Sequence, residues 1–101
     1  MVKLGLVVRM HAKPGKEAEV AEFLAGALPM AEAERFMPLW CAFRGQNGDF
    51  YIVDAFGDES SRELHLSGSI AQTLQRRAPE LFDQPPHIEK LDVIAAKLSS
   101  F

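Results

Sequence analysis

A chain of 101 residues, 48% hydrophobic and 25% charged, has the size and composition of one globular domain spanning 1–101. Its formal net charge of -3 leaves no basic surface to meet phosphates, which excludes nucleic acid as the main partner. The lone cysteine, Cys41, allows no intramolecular disulfide, and the N-terminal apolar run is too short for a signal peptide or a membrane span, so a cytoplasmic protein without membrane contact is expected.

In chain order, residues 2–12 read as a strand with Leu4, Leu6, Val8 and Met10 on one face and Lys3, Gly5, Val7, Arg9 and His11 on the other. Lys13-Pro14-Gly15-Lys16 breaks it as a turn. A helix then runs from about 15 into the low thirties, with Val20, Phe23, Leu24, Ala27, Leu28 and Ala31 as its apolar stripe. Pro29 should kink it or end its regular part. Residues 39–56 follow as a β-hairpin. Asp58 is placed to cap a short helix over 59–67, and Ser67-Gly68-Ser69 separates it from a second over 69–82. Pro79 implies a break or shallow kink there. Gln84-Pro85-Pro86 closes the region, and a last strand is expected over 87–98, which would span ~40 Å.

The hairpin organises the rest. Asn47-Gly48 supplies the two positive φ values of a type I′ turn. A two-residue loop pairs Arg44 with Tyr51, Phe43 with Ile52, Cys41 with Asp54 and Trp40 with Ala55. One face then carries Leu39, Cys41, Phe43, Ile52, Asp54 and Phe56; the other carries Trp40, Ala42, Arg44, Tyr51, Val53 and Ala55. Neither face is polar along its length, so both need cover. The order β-α-β-β-α-β is the split βαβ arrangement, a four-stranded antiparallel sheet with helices on one face. This ferredoxin-like α+β sandwich leaves the other face bare, and a second copy of the chain is the economical cover. A homodimer is expected on that ground alone.

Several stretches match a known pattern together. They are Ala12-Lys13-Pro14-Gly15-Lys16, the first helix with its late proline, Phe50-Tyr51-Ile52-Val53-Asp54-Ala55-Phe56-Gly57-Asp58-Glu59, Leu64-His65-Leu66-Ser67, and the strand from Ile88 to Ala95. The chain resembles the antibiotic-biosynthesis monooxygenase family of the dimeric α+β barrel superfamily. The resemblance implies a homodimer with barrel-like packing of two sheets. It also implies, for some members, cofactor-independent oxygenation of polycyclic aromatic or quinol substrates, in a pocket between a protomer's sheet and its own helices. Asp54-Ala55-Phe56 stands where the family often has Glu-x-Trp, so the carboxylate survives and the indole does not. The places of the haem-degrading relatives' Asn, Trp and His are Val8, Phe56 and Leu74, all apolar, which argues against haem. A second His common in the family is absent from Gly68-Ser69-Ile70.

On this resemblance Leu6, Val8, Met10, Cys41, Phe43, Ile52, Phe56 and Leu74 would line the pocket, with Asp54 and His65 as its polar groups. Burial disfavours a charged carboxyl, so Asp54 would orient or deprotonate a phenol with His65 as general base. The plainer reading has Asp54 bonding backbone donors and His65 as an ordinary helix residue. Trp40 is expected at the dimer interface as a packing anchor, with Arg9, His11 and Arg44 on the same face. Cys41 reads as an inert core thiol. His11, His65 and His87 fall on separate elements, so no metal is expected. Two functions remain: a cofactor-independent monooxygenase on a small apolar aromatic or quinol-type substrate, or a non-catalytic homodimeric module that binds a small hydrophobic ligand or is purely structural.

Overall fold

The computed structural model describes residues 1–99. The elements are β1 (Leu4–His11), α1 (Glu17–Gly26), α2 (Leu28–Ala33), β2 (Leu39–Arg44), β3 (Asp49–Phe56), α3 (Glu59–Leu66), α4 (Ser69–Leu81) and β4 (His87–Asp92). The strands form one antiparallel sheet in the order β2-β3-β1-β4, the ferredoxin-like arrangement expected. The two longest strands, β1 and β3, sit at its centre. The helices cover one face.

Each helical stretch is divided once, at Ala27 and at Gly68, while α4 continues through Pro79 to Leu81 with no break there. The first divides at Ala27, and Pro29 lies in the first turn of α2, where its missing donor has no role. Asp58 caps α3, its Oδ1 accepting from the Ser61 backbone N–H at 2.8 Å. Gly68 follows α3, and α4 carries Pro79 near its end. Beneath the helices lie two adjoining apolar clusters. One joins Val8, Met10, Val20, Leu24, Phe50, Ile52, Leu74 and Leu81; the other joins Leu6, Ala31, Met37, Phe56 and Ile70.

The hairpin turn forms as expected, but its register does not. Asn47 and Gly48 have φ of 58° and 84°, and the Asp49 N–H donates to Gln46 O at 3.1 Å. The Gly45 N–H, however, donates to Asp49 O at 2.7 Å. Gly45 and Gln46 thus both oppose Asp49, which is a β-bulge. Every pair below it shifts by one: Phe43 faces Tyr51, Ala42 faces Ile52, Cys41 faces Val53 and Trp40 faces Asp54. A one-residue slip exchanges the faces of β2.

Cys41 and Phe43 therefore do not share the helix-covered face with Asp54; they lie with Tyr51 and Val53 on the open one. Trp40 moves the other way. It packs against both core clusters under the helices and not toward a partner. Arg44 leaves the face of Arg9 and His11, and its guanidinium stacks over Phe50 at 5.5 Å. The slipped register lets the large indole pack, partly buried, against both clusters. The last strand is also shorter than expected. It ends at Asp92, and the Val93 N–H donates to Lys3 O at 2.8 Å just before β1 begins. Beyond that point β1 offers no partner for residues 94–98.

The open face carries Val7, Arg9, Cys41, Phe43, Tyr51, Val53 and Leu91, with Phe43 52% and Leu91 39% exposed. No helix among the described residues is long and apolar enough to cross a membrane.

Candidate functional site

Asp54 sits mid-strand in β3, between Leu6 of β1 and Trp40 of β2, pointing into the layer beneath the helices. It is 1% exposed. His65, in the last turn of α3, is 6% exposed and comes down onto it. Its Nε2 lies 3.2 Å from Asp54 Oδ2. Its Nδ1 lies 2.7 Å from Oε1 of Glu34, the residue that ends α2. The Phe56 ring flanks the imidazole at 5.5 Å between centroids. The Asp54 contact is close but out of line for a hydrogen bond, so both Asp54 oxygens lack a donor among the described residues. Glu34 Oε2 and the indole Nε1 of Trp40 are likewise buried without a partner. Several orphaned polar atoms in one place are uncommon in a folded interior.

Both ring nitrogens of His65 face carboxylates, which only accept. A neutral imidazole has one N–H to offer and an imidazolium two. Burial by itself lowers the pKa of His65, but the Asp54 and Glu34 carboxylates outweigh it and leave the pKa above its usual value. A raised proton affinity favours the protonated ring over the free imidazole that a general base needs. The protonated ring can donate a proton or stabilise negative charge. Glu34 was not singled out from the sequence. It is one of two glutamates at the end of the kinked helix and lies 31 positions from His65; only the fold brings them together.

The apolar residues expected around Asp54 divide into two groups. Leu6, Val8, Met10, Ile52 and Phe56 are buried in the packed clusters. Leu74 belongs to the core and also borders open space. That space is a cavity of about 790 Å³ between α4, the segment after it and β4, lined by Leu66, Leu74, Ala78, Phe82 and Ile88. Lys13, Gln75, Asp83 and Gln84 supply its polar lining. Neither Asp54 nor His65 lines it. Cys41 and Phe43 instead border a smaller cavity of about 460 Å³ at the β2 edge. Cys41 is a free thiol. Among the described residues no three His, Cys, Asp or Glu side chains converge as a metal site.

No family model matches the chain, and no curated protein does. Among solved structures it is similar to the NE2512 protein of unknown function from Nitrosomonas europaea, with 48% identity over 100% of this chain and 98% of that chain and a TM-score of 0.96. It is also similar to PA3566 from Pseudomonas aeruginosa, at 18% identity, 94% and 97% coverage and a TM-score of 0.79. An antibiotic biosynthesis monooxygenase matches at 15% identity, 91% and 99% coverage and a TM-score of 0.78. At identities of 15% and 18% the last two show a shared fold alone.

Proposed function

Since the chain belongs to one family with the NE2512 protein and has the fold of the antibiotic biosynthesis monooxygenases, we propose that it is a cofactor-independent monooxygenase acting on a small apolar aromatic or quinol-type substrate. The observation that carries this reading is the apolar cavity of about 790 Å³ between α4 and β4, of the size and character of a small-molecule site. The reaction balances without a cofactor: a quinol and O₂ give a hydroxyquinone and water, and every electron comes from the substrate. Asp54 and His65 are the acid–base pair of this reading. Glu34 is a positioning residue that holds the ring through Nδ1. His65, whose proton affinity is raised by its carboxylate neighbours, serves on the acid side, returning a proton or stabilising an oxyanion. The working molecule in this reading is a cytoplasmic homodimer, supported by the apolar open face of the sheet.

One observation favours a second reading. Asp54 and His65 sit in the packed interior, and neither lines the cavity. The protein would then be a non-catalytic homodimeric module that binds the same class of molecule, with the Glu34–His65–Asp54 cluster tying helices to sheet. O₂ uptake over a panel of quinols separates the two. Turnover that disappears in Ala78→Trp and drops in Asp54→Asn and His65→Ala supports the enzyme. Binding that disappears in Ala78→Trp, with no uptake by the unaltered protein, supports the module. Turnover unchanged in Asp54→Asn and His65→Ala removes both residues from the site.

A further inference from the structure

We propose that Lys13 is the specificity-determining residue of the α4–β4 cavity, selecting aromatic ligands that carry one anionic oxygen. The inference rests on that cavity being the ligand site, and it holds in either reading above. Lys13 follows the end of β1 and lines the cavity beside Pro79, Phe82 and Asp83. It is held at two points: its backbone N–H donates to Leu81 O at 2.8 Å, and its Nζ donates to Pro79 O at 2.7 Å. An ammonium has three N–H donors, so two remain for a ligand.

The other charged group in the lining is Asp83. Its Oδ2 is engaged by His11 Nδ1 at 2.6 Å, and the Asp83 N–H donates to His11 O at 3.2 Å. Lys13 is thus the lining's cation, and it makes no ion pair among the described residues. Gln75 and Gln84 are neutral, and the rest of the lining is apolar. A flat apolar body with a single phenolate, carboxylate or sulfonate oxygen at one end matches that arrangement. A pre-anchored donor loses little freedom when the ligand binds, and an ammonium–oxyanion bond is among the stronger hydrogen bonds. For a phenolic ligand the same contact favours the ionised form. That is the electron-rich form which gives electrons to O₂.

Two fluorescent probes test this on the full chain. 8-Anilinonaphthalene-1-sulfonate and N-phenyl-1-naphthylamine share an aromatic body, and only the first carries an anionic group. Lys13→Met should weaken the sulfonate probe roughly 10-fold and leave the neutral one within about 2-fold, while Lys13→Arg keeps both near the parent affinity. Equal weakening of both probes, or of neither, overturns the assignment to Lys13 and leaves the cavity in place. If Ala78→Trp, which projects into the cavity, leaves the neutral probe bound as before, the cavity is not the ligand site and both proposals fall.

Discussion

At His65 one imidazole ring meets two carboxylates, and its proton affinity decides how the interior behaves with pH. The pKa is raised from 6.5 even though burial opposes it, because Asp54 and Glu34 flank the ring. A group whose pKa rises on folding holds its proton more tightly in the folded chain. Its stabilisation is therefore complete below about 6.5 and disappears as pH climbs through the folded value. His11 works in the same direction, raised first by its hydrogen bond to Asp83 and then by Asn47 O. Resistance to urea should accordingly fall as pH rises across this window, and less steeply in His65→Gln. An identical slope in parent and variant would mean that the flanking carboxylates do not raise the ring's proton affinity. Glu34→Gln should lower the His65 titration midpoint, followed by NMR of the ring protons.

At the scale of the element, the hairpin turn shows how a local signal and a tertiary demand share the outcome. Asn47 and Gly48 both adopt positive φ, a conformation that costs other residues about 1–2 kcal/mol. A Cβ on Gly48 would also come within 3.3 Å of His11 Nε2. Gly48→Ala should therefore destabilise by about 1–2 kcal/mol, read as a lower urea midpoint with the slope of the transition unchanged. Gly45 is the element's second requirement. A Cβ there would meet Tyr51 Cε1 at 3.0 Å, in the bulge that shifts β2 by one residue. Beneath the hairpin, Phe56 is fully buried against Ile70 and His65. Phe56→Ala should cost about 3–5 kcal/mol, checked by the same titration. A loss below 1 kcal/mol would mean the second cluster collapses around the gap.

For the whole molecule the consequential feature is a sheet covered on one side only. Helices pack on the face of Leu6, Val8, Ile52 and Phe56, while Val7, Tyr51, Val53 and Leu91 line the other. Water-facing sheets alternate polar with apolar side chains, and this face does so only in part. Light scattering at micromolar concentration should give the mass of two chains. Val53→Arg, at the centre of the open face, should give the mass of one with the helical signal in circular dichroism retained. A parent protein of monomer mass would leave the face without its proposed partner.

The element order, the capped and broken helices and the turn at Asn47-Gly48 were all legible in the residues. Each rests on a local rule: periodicity, a capping side chain, a proline, or a positive φ that few residues accept. The register of β2 was not legible, because it follows from where the Trp40 side chain is best buried, and burial exists only once the helices are in place. The same limit applied to the site. Asp54 and His65 stood out as polar groups, but Glu34 gave no signal, and its contact with Nδ1 adds to that of Asp54 in raising the ring's proton affinity. The chain by itself thus determined which elements form and in what order. The packed structure decided which face each β2 side chain takes, which carboxylates meet at His65, and that the open cavity lies beside α4 and Lys13, away from Asp54.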